Sequence, residues 1–343
     1  MNKITTMLVA FFMVATMFAP AVSAQNIDLT ASVSATGNAP LINYQFALSQ
    51  NETDNSIIPG DDLEPHSDTM TQIMPIAGDG MTESLKTFRK YVVVSDPNGI
   101  SDIASVYEQL RNDTEVAMTA EVTATDITGN VAEWTEAINQ AYAMNLITLA
   151  AKDDMLYGLQ ESKAQYRIFR VDNTLTNHDK PGIYNVYFKV VDNGGAFLEN
   201  TDTVAPGYLQ VEYLSLKAFE TDFAAVNYGS VIINSRKVIS GDEVWEPENS
   251  VNKPTIKNQG NVNIQMNASA SDLLGTVAPV QSIPASALSI HMVGYDIASL
   301  SNSPQTLLNA LVPCTPEQVD FDITAPYGTS ANTYTGTIIL EMV

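Results

Sequence analysis

One cysteine, Cys314, is all the thiol chemistry in 343 residues. It has no partner for an internal disulfide, so packing must hold the fold, with bound ions or neighbouring subunits as the other supports. A buried, inert thiol is its expected state, and an intermolecular bridge is the alternative. Basic residues are scarce as well: 16 Lys and Arg stand against 39 Asp and Glu, a net charge of -23. A polyanionic partner needs a Lys/Arg surface, so nucleic acid is excluded as a partner class. The surplus of acid favours solubility and can draw in divalent cations.

The catalytic vocabulary is thin. His66, His178 and His291 lie far apart, and there is no HExxH, CxxC or Cys/His spacing for zinc or haem. GxSxG, the P-loop and the dinucleotide fingerprint are absent. Gly194-Gly195 follows a strand-like run with no helix after it, so it reads as a turn rather than a phosphate cradle. Carboxylates are too plentiful for any one pair to mark a glycosidase, and Asp61-Asp62 and Asp153-Asp154 read as solvated loop residues. The expectation is no enzyme, no catalytic residues and no cofactor, with Ca²⁺ as the one candidate ion.

What the chain does have begins with export. Lys3 supplies the charged n-region, Met7 to Phe18 the apolar core, and Val22-Ser23-Ala24 the small-residue cleavage site. Residues 1–24 therefore read as a signal peptide. Pro20 and an apolar run short of about 20 residues argue against an uncleaved anchor. No later run reaches spanning length, and Thr337 to Val343 reads as a strand without a lipid-anchor tail. The expected location is secreted, extracellular or at the cell surface, with no transmembrane anchor after signal cleavage.

Residues 25–80 read as an N-terminal strand and a polar linker. In Ile27 to Val33 apolar residues alternate with polar ones, and Asn51 to Ser67 is rich in turn formers. Residues 81–214 read as a first sandwich, with strands at Tyr91–Ser95, Ala117–Ala124, Tyr166–Asp172, Ile183–Asp192 and Tyr208–Tyr213. Tyr184, Val186, Phe188 and Val190 form one alternating face. Between its second and third strands, residues 131–161 carry Val131, Trp134, Ile138, Tyr142, Leu146 and Leu149 at helical spacing, with a break near Asp153. This helical insertion is expected to cap one end of the sandwich; a partner surface is the alternative.

Residues 215–343 read as a second sandwich. Its strands are expected at Ala225–Ile233, Asn249–Lys257, Val262–Ala268, Leu288–Met292, Val319–Ile323 and Tyr334–Met342, with a short helix over Ser303 to Ala310. The fold class is mainly β: two Ig-like antiparallel β-sandwich domains, the first with the helical insertion.

Turns punctuate these strands. Asp96-Pro97-Asn98-Gly99 ends one, Asp192-Asn193-Gly194-Gly195 another, and Asn258-Gln259-Gly260-Asn261 reads as a hairpin turn. Asp96 and Asp102, with Asn98 between them, are candidate Ca²⁺ ligands off the EF-hand spacing; Asx-type turn bonding is the plainer reading. Asn51, Asn112 and Asn267 open Asn-x-Ser/Thr sequons and are candidate glycosylation sites. Trp245, in an acidic loop-like setting, is the candidate sugar-stacking residue; closing the end of a sandwich is the alternative role.

The phrases Asn227-Tyr228-Gly229-Ser230-Val231, Lys253 to Val262, Ile283 to Ser289, Ala325 to Thr329 and Thr333 to Thr337, in that order, resemble an Ig-like sandwich of secreted archaeal surface proteins of the methanogen type. Val94 to Ile100 and Gly182-Ile183-Tyr184 are similar to another module of such proteins. The resemblance implies a secreted structural protein acting in assembly or adhesion, with copies of itself or other surface proteins as partners, and glycans as a further class. Residues 26–34 are the expected donor if assembly runs by strand addition. A carbohydrate-binding module and a glycan-active hydrolase are the competing readings.

Overall fold

The computed structural model describes residues 38–49, 71–78, 83–201, 207–247, 253–278 and 280–343. The signal-peptide residues, the expected donor 26–34, Asn51, Asp61-Asp62 and His66 lie outside these residues.

The amino-terminal half contains β1 (Leu41–Ser49), β2 (Thr71–Ile73), β3 (Leu85–Ser95), β4 (Ile103–Asn112), β5 (Val122–Thr123) and β6 (Thr125–Asp126). Two helices follow, α1 (Val131–Ala143) and α2 (Leu149–Gly158), then β7 (Arg167–Thr176), β8 (Gly182–Asp192), β9 (Phe197–Glu199) and β10 (Leu209–Tyr213). One sheet has the order β1-β3-β7-β6; the other runs β2-β10-β8-β4-β5, with β9 paired to β8. All pairs are antiparallel except β2 with β10. Phe88, Val92 and Val94 of the first sheet pack against Val106, Leu110, Val186 and Phe188 of the second, which makes a sandwich.

The helices do not cap an end of that sandwich. They cover the outer face of the first sheet, where Trp134, Ile138, Ala141 and Met155 pack on Phe46, Leu48, Tyr91 and Val93. This explains the unbroken run Tyr91-Val92-Val93-Val94: β3 is buried on both faces, so alternation has no reason to appear. The break between helices falls at residues 144–148 rather than near Asp153. Asn145, at φ 58°, ends the first helix and the Thr148 hydroxyl accepts from Ala151 N to start the second. Asp153 and Asp154 are therefore helical, and Asp154 accepts hydrogen bonds of 2.8 Å from both Tyr44 and Tyr166. Burial and that carboxylate push both phenols up to about 12.

Between the two sheets, Lys90 of β3 meets Glu108 of β4 in a fully buried ion pair. Burial lowers the Lys90 amine to about 8 against the opposing pull of Glu108.

The second half contains β11 (Phe219–Thr221), β12 (Arg236–Ile239), β13 (Thr255–Asn258), β14 (Ile264–Ala270), β15 (Leu273–Gly275) and β16 (Ser282–Ile283). It continues with β17 (Leu288–Met292), β18 (Tyr295–Ile297), β19 (Gln305–Leu311), β20 (Pro316–Thr324), β21 (Tyr334–Thr335) and β22 (Ile338–Met342). The main sheet is β11-β13-β20-β17-β18 with β12 also on β20, and it faces β19-β14-β22; a small sheet, β16-β15-β21, lies beside them.

Several local expectations give way to tertiary structure here. Ser303 to Ala310 is not a helix: β19 pairs with β14 and buries Leu307 and Leu311, which outweighs the Ser-Pro start signal. Ala225 to Ile233 is not a strand, because Gly229 sits at φ 61° and Asn227 Oδ1 accepts from its N–H. Ala117 to Ala124 shrinks to β5 and a bridge at Ala117. Tyr334 to Met342 splits at Gly336, and the two pieces join different sheets.

The Asn258–Asn261 stretch is not a hairpin turn either, since β13 and β14 belong to different sheets. It is buried and runs beside Leu214–Ala218, the connection from the first half. Gln259 N donates to Ala218 O and Asn261 N to Leu216 O. Asn261 Oδ1 accepts from Leu216 N, and its Nδ2 donates to Leu214 O. Gln259 O accepts from Gly78 N and Asn177 Nδ2.

Candidate functional site

Two features stand out: an acidic cluster at one end of the first sandwich and a groove of mixed polar and apolar lining in the second. The cluster is built from the two turns that share one local grammar. In the first, which carries the chain from β3 to β4 and so between sheets, Asp96 O accepts from Gly99 N at 2.9 Å. Asp96 Oδ1 accepts from Asn98 N at 2.7 Å, and Gly99 takes φ 106°. In the second, which joins β8 to β9 as a hairpin, Asp192 Oδ1 accepts from Ala196 N at 2.7 Å. Asn193 then bonds Asp102 O through its N–H and Ser101 O through its side chain, so the turns lie against each other.

The result brings Asp96, Asp102 and Asp192 together, with a carboxylate oxygen of each within 4.8 Å of the others. Asp96 is 8% exposed and Asp192 2%. The Oδ2 atoms of both are buried and have no hydrogen-bond partner. Asp102 Oδ2 lies 3.4 Å from Asn98 Nδ2. Among the described residues no Lys, Arg or His forms an ion pair with any of the three. Sequence reading found Asp96 and Asp102 and missed Asp192 as their companion; the recurrence of Asp-x-x-Gly after a strand was the available signal.

The groove, of about 1170 Å³, lies between the main sheet of the second half and β22. Phe219, Phe223, Tyr228, Leu288, Phe321 and Ile338 are among its lining side chains. The non-strand segment from Phe223 to Val231 runs along it without joining either sheet. β22 is an edge strand, paired on one side with β14 and, among the described residues, with nothing on the other. Ile338 and Leu340 of this edge face the groove.

The other candidate residues are dispersed. Asn112 is half-buried, and its Oδ1 accepts from Thr114 N, Thr114 Oγ1 and Val116 N, closing a turn after β4. Asn267 is half-buried in the central strand β14, with Oδ1 buried and unpartnered. Trp245 is half-buried rather than presented as an open platform, and its Nε1 is likewise buried without a partner. Its loop is fastened by Glu246 N to Asp222 and by Thr255 Oγ1 to Val244 O. His291 is a face residue whose Nδ1 lies 2.6 Å from Asp296. His178 is not solvated: its side chain is largely buried, 3.5 Å from Glu83. Cys314 is exposed, contrary to the expected buried thiol, because it sits in a turn at φ 67° before β20; partial desolvation and the Glu83 carboxylate hold its thiol above the usual range.

A scan of family models finds none that matches the chain, and a search of curated proteins likewise finds no match. Among solved structures, the chaperone–tip adhesion subunit pre-assembly complex of the archaic chaperone-usher Csu pili of Acinetobacter baumannii aligns with a TM-score of 0.30. It has 12% identity, over 80% of this chain and 97% of that one. The carboxy-terminal domain of the antigen I/II-family protein AspA of Streptococcus pyogenes aligns at TM-score 0.21 and 9% identity, over 87% of this chain and 95% of that one. That of the AgI/II polypeptide BspA of Streptococcus agalactiae aligns at 0.22 and 6%, over 88% and 100%. Values at this level establish no common function. All three are bacterial, and the archaeal resemblance read from the sequence finds no support in them. Among the described residues no helix is long and apolar enough to cross a membrane.

Proposed function

We propose that this chain is an exported, non-enzymatic assembly or adhesion protein whose second sandwich accepts a β-strand from another copy. The observation that supports this reading is the groove beside the edge of β22, lined in part by aromatic and aliphatic side chains, with that edge unpaired among the described residues. An unpaired edge offers a row of backbone donors and acceptors, and a neighbouring groove selects alternate side chains of whatever strand pairs there.

The occupant that fits is residues 26–34 of a second copy. Ile27, Leu29, Ala31 and Val33 recur at every second position, so one face of the incoming strand would be apolar and the other polar. A strand of that length spans about 30 Å at roughly 3.3 Å per residue, enough to run the length of an edge such as β22. Main-chain bonds to β22 would supply affinity, and the four apolar side chains would set the register.

The test is deletion of residues 25–36 from the exported chain, with negative-stain electron microscopy and size-exclusion chromatography of the product. Loss of oligomers with the fold retained supports strand addition. Assembly that continues unchanged overturns it.

A further inference from the structure

The geometry points to a Ca²⁺ site formed by Asp96, Asp102 and Asp192, which pins the β3–β4 crossover to the β8–β9 hairpin. Turn bonding alone accounts for only half of this arrangement. Asp96 and Asp192 each use Oδ1 to close their own turn. Their Oδ2 atoms do no such work, yet they are buried and unpartnered, in carboxylates that each bring an oxygen within 4.8 Å of the other two. A buried carboxylate oxygen without a donor carries a desolvation cost, and like charges at this spacing add repulsion to it. With no basic side chain of the described residues in ion-pair reach, a bound cation is the group that would satisfy both oxygens at once.

The donor set names the class of ion. Three carboxylates and no His or Cys select a hard cation rather than zinc or copper. Mg²⁺ retains its water and is held by one or two carboxylates, whereas Ca²⁺ accepts six to eight oxygens with loose geometry, so convergent carboxylates plus water suit Ca²⁺. In a chain without a disulfide the consequence is mechanical. Asp96 leaves β3 in one sheet, while Asp192 leaves β8 in the other, so an ion held by both closes that end of the sandwich.

The experiment uses the full chain stripped with a chelator. Thermal unfolding is followed as CaCl₂ is added, and Tb³⁺ luminescence serves as a direct binding probe. The expected result is a saturable rise in Tm, with a Kd on the order of 10⁻⁴–10⁻³ M as in extracellular modules. Asp96→Asn and Asp192→Asn keep Oδ1 and the turn bond but lose the charge. Each is expected to fold by circular dichroism, weaken the Ca²⁺ response at least about tenfold and lose the Tb³⁺ signal. The inference is overturned if the wild-type chain shows neither a Ca²⁺-dependent Tm nor Tb³⁺ emission. It is also overturned if both Asn variants keep the full response, or if Mg²⁺ at the same concentration matches Ca²⁺.

Discussion

Replacing Lys90 by Met should unfold this protein more readily than replacing Lys90 and Glu108 together. The two side chains are fully buried between the sheets of the first sandwich, and Glu108 Oε2 has no partner there. In the single variant Glu108 remains buried without its counter-charge, a loss of about 3–5 kcal/mol. In Lys90→Met/Glu108→Leu the space is filled by apolar groups of similar volume, and neither charge has to be desolvated. The same desolvation that brings Lys90 down to about 8 outweighs the attraction of Glu108. Burying two charges costs about as much as their attraction returns, so the double variant should be neutral or more stable by about 1–4 kcal/mol. Urea denaturation monitored by circular dichroism gives the three midpoints. The reasoning fails if the double variant is as unstable as Lys90→Met, because that would make the pair itself the stabilising element.

Lys90 also sets a pH dependence. Its folded value of about 8 lies below the ordinary 10.5, so between those values the unfolded chain holds a proton that the native chain does not. Stability should rise with pH across that window, by about 2 kcal/mol from pH 8 to 10, in urea midpoints; a flat profile, or one that Lys90→Met leaves unaltered, refutes it. Above about pH 10 the raised tyrosines, Tyr91 among them at about 12, act the other way, since the unfolded chain deprotonates first. Trp134→Ala should cost about 3–5 kcal/mol by emptying the contact between α1 and β3 and removing the 3.1 Å bond from Nε1 to Thr128 O. Helix loss should appear in the far-ultraviolet spectrum before global unfolding. Gly260→Ala should destabilise by about 1–3 kcal/mol or more, because its Cβ would lie 2.1 Å from Leu216 O; an unchanged Tm would show that the connector yields freely.

The β architecture was legible where burial was one-sided or turn chemistry was strong, as in β8 and its Asp-Asn-Gly-Gly turn. It was illegible where charge entered the core. In β4 the inward series Val106, Glu108, Leu110 contains a carboxylate, so alternation fails at its centre and the strand was missed. β1 and β2 join their sheets through long-range pairs that local pattern does not announce. The helices were visible from spacing, but their seat on the first sheet depends on Phe46, Leu48, Tyr91 and Val93, which only the register of β1 with β3 brings together. Two members of the acidic cluster were visible as turn residues. Asp192 was not, since its approach to Asp96 follows from β3 and β8 lying in opposed sheets.

The buried run Asn258–Asn261 changes how the two cores respond to force. Its bonds to Leu214, Leu216, Ala218, Gly78 and Asn177 leave no slack chain between the cores. A pull on one is delivered to the other through several hydrogen bonds loaded at once, so the protein should transmit tension as one stiff body rather than as beads on a string. A single-molecule stretching record should lack the low-force extension that a flexible interdomain tether would give.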